Sequence, residues 1–309
     1  MGQPGRILVA PRADDFAVEA VRKAGGSVVG PGQGADGMVW LGSAEDLVPT
    51  MAAEKSLRWV QLPMAGVETV MATGIVQDPR YVGVTWTCAK GSYAEPVAEH
   101  ALALALAGLR HLPERARATS WGQQAGTSLF DADVAVLGGG GIARALLALL
   151  APFRARATVV RRNPEPVPLA ARTVTADHLH DVLPGSLVVF VALALHPGTL
   201  HVVGRPELAL MGPQAWLVNV GRGRHVDTEA LVEALSAGRI GGAALDVTDP
   251  EPLPEGHPLW SLPNCLITPH TADTQEMVRP LLAARARDNV ERWMAGRPLV
   301  GLVDPVAGY

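Results

Sequence analysis

The chain is poor in cysteine and in aromatic side chains. Its 309 residues include two cysteines, Cys88 and Cys265, and aromatic residues make up 5% of the total. Two cysteines without a CxxC pair or a metal-ligand spacing argue against a disulfide framework and against a cysteine-bound metal, and they favour a reducing compartment. We therefore expect a cytoplasmic protein.

Long basic and long apolar blocks are also missing. The net charge is −4 and the arginines form only local clusters, so we predict no nucleic-acid partner and no membrane surface. The longest apolar runs, residues 101–109 and 186–195, have about half the length of a membrane-spanning helix. The first residues contain no charged segment followed by a long apolar core, which argues against a signal peptide.

What the chain does contain is an alternation of short apolar runs with helical patterns. Strands that are apolar throughout and separated by helices indicate parallel sheets covered on both faces. The length allows two domains with separate cores.

We predict an α/β fold of two doubly wound parallel-sheet domains with a ligand cleft between them. Residues 1–95 and 277–309 form a flavodoxin-like substrate-binding domain, and residues 96–276 form a Rossmann dinucleotide-binding domain. The second domain is predicted to have six strands, and one long helix is predicted over residues 92–118.

A glycine run follows a predicted strand and opens a predicted helix, in "DVAVLGGGGIARALLALL". Gly138, Gly140 and Ala143 have the G-x-G-x-x-A spacing that permits a tight turn, backbone approach to a pyrophosphate and close helix packing. The helix N-terminus then offers N–H groups to phosphates. A plain glycine-rich loop is the alternative, but the order of strand, loop and helix favours a dinucleotide site at Gly138, Gly140, Gly141 and Ile142.

The end of the next strand indicates which dinucleotide binds. NAD-binding proteins usually carry an acid there for the ribose hydroxyls, whereas this chain has Arg161 and Arg162 in "TVVRRNPEP". A guanidinium can bind a 2′-phosphate through charge-assisted hydrogen bonds. We predict NADP as the preferred cofactor, with NAD possible; two solvated arginines are the alternative.

Four motifs stand in a recognisable order: "LGGGGIARAL", "NVGRGRHVD", "ALDVTDPEPLP" and "LITPH". In this the chain resembles the D-isomer-specific 2-hydroxyacid dehydrogenases, with most similarity to their glyoxylate/hydroxypyruvate reductase branch. The resemblance implies that Arg222 binds the substrate carboxylate, that His270 is the proton donor, and that Glu251 pairs with it. From the residues alone, His270 could be a packing residue, Arg222 an exposed turn residue, and Asp249 or Glu255 the partner acid.

The resemblance implies further site residues. Asp246 would hold the nicotinamide amide, and Val220 and Gly221 would line the cofactor. The substrate would also meet residues of the first domain, namely Ala65, Gly66, Val67 and Lys90. Cys88, Ala194 and His196 depart from the usual family pattern. A metal site is not predicted, because His178 and His180 lie in a helical pattern that should face solvent.

Together these features predict a reductase that transfers hydride from NADPH to a small 2-keto acid such as glyoxylate or hydroxypyruvate. A carboxylate beside the histidine favours the imidazolium form that protonates the substrate oxygen. Two alternatives stay open, a phosphite-oxidising relative and a nucleotide-binding corepressor of the same fold. Relatives of this kind are commonly homodimers, and we expect the helix from residue 95 to contribute to the interface.

Overall fold

The computed structural model describes residues 5–305, whose contacts divide into two compact units. Unit 2 runs from Ala94 to Asp273, and unit 1 contains the described residues before and after it. The sequence had suggested boundaries after residues 95 and 276. Residues 1–4 and 306–309 of the predicted substrate domain lie outside the described residues.

Unit 1 is built on a five-stranded parallel sheet. Its elements before unit 2 are β1 (Arg6–Ala10), α1 (Asp15–Lys23), β2 (Ser27–Val29), β3 (Gly37–Trp40), α2 (Ala44–Ala53), β4 (Trp59–Gln61), α3 (Glu68–Ala72) and β5 (Thr85–Thr87). The strand order β2-β1-β3-β4-β5 is that of flavodoxin-like sheets. Both faces of the sheet are covered, with Trp40 buried on one side and Trp59 on the other.

Unit 2 contains a seven-stranded sheet. Its elements are α4 (Ala94–Leu109), α5 (Leu112–Ala116), β6 (Asp133–Leu137), α6 (Gly141–Leu150), β7 (Arg156–Val160), β8 (Arg172–Val174), α7 (Leu179–Val182), β9 (Val188–Val191), α8 (Arg205–Leu210), β10 (Trp216–Asn219), α9 (Thr228–Ser236), β11 (Gly242–Leu245) and β12 (Cys265–Ile267). All neighbours pair in parallel, in the order β12-β11-β10-β9-β6-β7-β8. The order reverses between β6 and β9, which is the switch point where Rossmann folds bind ligands. The predicted fold class is therefore confirmed.

Two details of the predicted elements are wrong. The long helix over residues 92–118 is interrupted, because His111 adopts a left-handed conformation with φ +51° and a short helix begins after it. Pro113 explains the break, since a proline inside a helix removes an N–H donor and clashes with the preceding turn. The three-residue edge strand β8 was also missed; among the described strands it pairs with β7 alone.

The chain returns to unit 1 through α10 (Gln275–Met294). Ala286 and Val290 of this helix are buried beside the β1 residues Ile7 and Val9. The helix ends before Gly296, which has φ +62°, as expected for a glycine that closes a helix. Within residues 5–305, none of the helices combines the length and apolar character needed to span a bilayer.

Candidate active site

The glycines of the turn between β6 and α6 have different surroundings. Gly138 has φ +116°, and a Cβ there would lie 2.4 Å from the carbonyl oxygen of Ala192, so a side chain is excluded. Gly140 is different, because a Cβ on it would meet no protein atom within 4 Å. Helix α6 begins at Gly141 without a side-chain cap, which leaves its first N–H groups directed at this open space. The turn therefore fits a dinucleotide pyrophosphate, with Ile142 in the first turn of the helix.

Arg161 lies across the same turn. A Cβ on Gly139 would be 2.9 Å from Arg161 Cδ and 3.0 Å from its Nε, so the arginine stem covers the glycine backbone. Arg161 is partly exposed, and Arg162, which follows it, is exposed. Both predicted phosphate-binding arginines thus stand at the carboxyl end of β7, next to the glycine turn.

The loop after β10 holds Arg222 through buried neighbours. Asn219 donates from Nδ2 to the Arg222 carbonyl at 2.9 Å and accepts the Gly221 N–H at 3.1 Å. The buried His225 accepts the Arg222 N–H on Nδ1 at 3.0 Å. The guanidinium itself donates to the Gly221 carbonyl at 2.8 Å. Val220 and Gly221 are buried in this loop, so its backbone is fixed while the arginine head stays partly exposed.

The glycines that flank Arg222 are required by protein neighbours. A Cβ on Gly223 would lie 1.8 Å from the Thr248 carbonyl oxygen, and one on Gly221 would lie 2.9 Å from His225 Nδ1. Gly223 therefore brings the Arg222 loop against the segment that carries Glu251.

His270 and Glu251 form a hydrogen-bonded pair. His270 Nδ1 lies 2.6 Å from Glu251 Oε1, and their side chains are 44% and 41% exposed. Of the three acids that the sequence left open, the histidine therefore pairs with Glu251. His270 has φ +49°, a left-handed conformation that few residues with side chains adopt. The pair stands after β11 and β12, at the carboxyl edge of the sheet.

Asp246 lies behind this pair and is only 2% exposed. Its carboxylate accepts hydrogen bonds from Thr268 Oγ1 and from the N–H groups of Thr271 and Ala272. Burial alone would raise the pKa of Asp246, but these bonds and one from His100 outweigh it and lower the pKa to about 2. Its predicted contact with the nicotinamide amide stays a prediction, whereas its contacts with the His270 turn are observed.

Asp273 adds a carboxyl that the motif comparison had not indicated. Burial raises the pKa of Asp273, and the positive charges of His270 and Arg222 oppose that effect, while Asp246 adds to it. These interactions place His270, Arg222 and Asp246 within electrostatic range of Asp273.

The predicted substrate residues of unit 1 occupy two neighbouring loops. Ala89 donates its N–H to the Met64 carbonyl at 2.8 Å, and Cys88 Sγ lies 3.6 Å from the Ala65 carbonyl. Ala65 is exposed, Gly66 is half-buried and Val67 is buried. Lys90 is exposed, so the two loops are joined through their backbones while a cation faces solvent.

Sequence reasoning missed several residues that shape these loops. In unit 1, Arg285 of α10 donates to the carbonyls of Cys88 and Lys90 at 2.9 and 3.0 Å. In unit 2, Asn219, His225 and His100 hold the arginine and histidine loops. Asn219 and His225 do stand within the "NVGRGRHVD" motif, so that motif was a usable signal; Arg285 and His100 lie on helices far along the chain from the loops they contact.

A glycine turn at the switch point of a seven-stranded parallel sheet, with arginine, glutamate and histidine after neighbouring strands, defines a Rossmann-type dinucleotide-binding protein. Residues 101–272, more than half of the chain, match the family described as "D-isomer specific 2-hydroxyacid dehydrogenase, NAD binding domain". The chain therefore belongs to the D-isomer specific 2-hydroxyacid dehydrogenases, a family of oxidoreductases.

Individual relatives agree with this assignment. Glyoxylate/hydroxypyruvate reductase B of Pectobacterium carotovorum is 37% identical over 221 residues, covering 68% of this chain and 69% of that protein. Glyoxylate reductase of Aeropyrum pernix is 31% identical over 260 residues, covering 79% and 78%. The crystal structure of a D-isomer specific 2-hydroxyacid dehydrogenase from Xanthobacter autotrophicus Py2, in complex with NADPH and MES, has a TM-score of 0.84 at 27% identity and covers 99% of this chain and all of that one. The predicted family and branch are confirmed.

Proposed function

We propose that this protein is an NADPH-dependent reductase of small 2-keto acids such as glyoxylate or hydroxypyruvate, with His270 as the proton donor. The observation that carries the proposal is the 2.6 Å contact between His270 Nδ1 and Glu251 Oε1. Two relatives, a glyoxylate reductase and a glyoxylate/hydroxypyruvate reductase, support the substrate class by their activities as named.

Glu251, His270 and Arg222 of unit 2 have separate roles in the proposed reaction. When bound, the cofactor supplies the hydride that reduces the carbonyl carbon. Glu251 holds the Nδ1 proton of His270, so Nε2 is the nitrogen that can donate to the developing alkoxide. Glu251 also stabilises the imidazolium before transfer. Arg222 binds the substrate carboxylate through two parallel N–H donors, which fixes the orientation of the keto group.

The cofactor is assigned to the β6–α6 turn and the loops beside it. Gly138, Gly140, Gly141 and Ile142 would bind the pyrophosphate, and Arg161 and Arg162 would bind the 2′-phosphate. The nicotinamide end of the cofactor would contact Val220, Gly221 and Asp246. The relative from Xanthobacter autotrophicus Py2 was crystallised with NADPH, which supports NADP over NAD.

In unit 1, the backbone amides of residues 65–67 and Lys90 are the proposed additional binding groups for the substrate. We further propose a cytoplasmic homodimer.

The test follows the absorbance of the reduced nicotinamide with NADPH or NADH and a panel of glyoxylate, hydroxypyruvate, pyruvate and bulkier 2-keto acids. We expect turnover of the small acids with NADPH. His270→Gln should lower kcat by about 100-fold or more, because a general acid contributes that much, while NADPH binding stays near the wild-type value. The matched control is His178→Gln, which removes an exposed histidine of the same unit.

Three results would count against the proposal. Wild-type turnover by His270→Gln would remove the histidine from the mechanism. NADPH binding without reduction of any keto acid would contradict an enzyme of this class and favour the corepressor alternative. NADP-linked oxidation of phosphite, tested in the same assay, would favour the other alternative.

A further inference from the structure

His100 of α4 reaches the strand end that precedes His270. Its Nε2 lies 3.0 Å from Thr268 Oγ1 and 3.3 Å from Asp246 Oδ1. The Thr268 hydroxyl lies 2.6 Å from Asp246 Oδ1 and donates its proton to that carboxylate. The hydroxyl oxygen can then only accept from His100, so the His100 ring carries its proton on Nε2. His100, Thr268 and Asp246 therefore form one hydrogen-bonded group.

The same Asp246 holds the backbone around His270. Its carbonyl oxygen accepts the His270 N–H at 2.9 Å, and its carboxylate accepts the N–H groups of Thr271 and Ala272 at 2.9 and 3.1 Å. Three successive amides are thus bound by one residue, and this keeps His270 at φ +49°. A left-handed residue with a side chain persists only where its surroundings hold it. The direction of the His270 ring toward Glu251 depends on this turn.

We propose that His100 is a positioning residue for His270, acting through Thr268 and Asp246. The inference rests on the proposed function, because it takes His270 to be the proton donor. Within residues 5–305, His100 is the only residue of α4 whose side chain donates to this group. Without that donor, the Thr268 hydroxyl oxygen loses the N–H group that it accepts, and the buried carboxylate loses a source of positive potential. The turn that carries His270 then becomes less rigid.

A purely structural role for His100 makes a different prediction. Helix α4 has other contacts within unit 2, for example between Gly108 and the Trp216 ring, so its packing does not depend on His100 alone. A structural role predicts loss of thermal stability and of NADPH binding together with activity. A positioning role predicts a selective loss in the proton-transfer step.

The test compares His100→Leu, which removes the donor, with His100→Gln, which keeps an N–H donor. The neighbouring Glu99→Gln is the control, because Glu99 is exposed on the same helix. With glyoxylate and NADPH, we expect His100→Leu to lower kcat by about tenfold or more while the KM for NADPH changes by less than about twofold. Its solvent deuterium isotope effect on kcat should rise, since a misplaced donor slows proton transfer. His100→Gln should recover most of the lost kcat.

A second measurement does not depend on turnover. The ring resonances of His270, assigned by their absence in His270→Gln, should shift or broaden in His100→Leu and stay in place in Glu99→Gln. Unchanged His270 resonances would overturn the proposal, as would a kcat within about twofold of wild type or equal losses of kcat, NADPH binding and melting temperature without recovery by glutamine. Absence of keto acid reduction in the wild type would instead contradict the proposed function, and the resonances would still decide whether His100 positions His270.

Discussion

At the scale of single residues, two carboxylates near His270 stand in opposite environments. Glu251 is 41% exposed and makes a direct contact with the ring, whereas Asp246 is 2% exposed and binds backbone amides. An exposed carboxylate can follow a change in the charge of the histidine at little cost. A buried one with several donors stays ionised and keeps the turn fixed. The different roles proposed for the two acids follow from this difference in burial and bonding.

The ionisation of Asp246 makes a prediction about stability and pH. Its folded-state pKa of about 2 lies below its ordinary value of 3.8, so the ionised form stabilises the folded state above pH ~4, and this contribution is lost as the pH falls toward 2. Asp246→Asn should therefore lower the free energy of unfolding by about 2 kcal/mol at pH 7. The difference from wild type should fall to about half at pH 3.

The measurement is urea unfolding followed by tryptophan fluorescence at pH 7, 4 and 3. Glu255→Gln, which changes an exposed acid of the same loop region, serves as the control and should follow the wild type at every pH. A difference for Asp246→Asn that is independent of pH would show that the carboxylate stabilises the turn without a shifted ionisation.

Substitution of Arg161 tests the predicted preference for NADPH over NADH. Loss of a charge-assisted bond costs about 1.5–3 kcal/mol, which corresponds to roughly 10- to 100-fold in affinity. Arg161→Ala should therefore raise the KM for NADPH by that factor and leave the KM for NADH nearly unchanged. Arg172→Ala removes an exposed arginine at the far end of the neighbouring strand β8 and should affect neither. Equal losses with both cofactors would mean that Arg161 does not bind the 2′-phosphate.

At the scale of elements, α4 packs against β10 through a glycine. A Cβ on Gly108 would lie 2.3 Å from the Trp216 ring. Glycine to alanine in a helix usually stabilises by about 1 kcal/mol, but here the added methyl group must displace a buried ring. We expect Gly108→Ala to lower the free energy of unfolding by about 1–3 kcal/mol, the usual cost of overpacking.

Urea unfolding of Gly108→Ala alone and in a Trp216→Leu background provides the check. The second substitution removes the ring that the methyl group would strike, so the cost of Gly108→Ala should shrink or change sign there. An equal cost in both backgrounds would place the strain elsewhere.

Sequence patterns predicted the helices, strands and turns that are determined by residues close together in the chain. The strand, glycine turn and helix around residues 133–150 were predicted because each is determined by neighbouring residues. The helix break at His111 was missed because the apolar period of α4 seemed to continue through Pro113. Strand β8 was missed because its residues, Arg172–Val174, include only one apolar side chain and so form no apolar run. The contact of His100 with Thr268 joins residues 168 positions apart, and only the packing of α4 determines it.

At the scale of the whole molecule, each unit has its own apolar core, and each carries candidate site residues of its own. In unit 2, the arginine, glutamate and histidine come from loops after three neighbouring strands, β10, β11 and β12. This edge is determined by the parallel sheet and its crossovers. In unit 1, the two candidate substrate loops are bonded to each other, and Arg285 of α10 donates to the loop of Cys88 and Lys90. Helix α10, which follows unit 2, therefore supports a loop that precedes unit 2.

The proposed homodimer can be tested at an exposed tryptophan of unit 2. Trp121 is 95% exposed in a segment without helix or strand that follows α5, and Leu112 at the start of α5 is 53% exposed. Large apolar side chains in such positions are commonly buried by a partner, and a second copy of this chain is the partner that we propose. A tryptophan at the centre of an interface often contributes 2 kcal/mol or more, about 30-fold in affinity.

We therefore expect Trp121→Ala to raise the dimer dissociation constant by about 30-fold or more in sedimentation velocity. The control is Trp260→Ala, because Trp260 is 52% exposed but already donates its ring N–H to Pro254 within its own loop; its loss should leave the association unchanged. A wild-type protein that sediments as a monomer at micromolar concentration would contradict the dimer. A dimer that Trp121→Ala does not weaken would mean that the interface lies on another face of unit 2, such as the side of α4 that does not pack on β10.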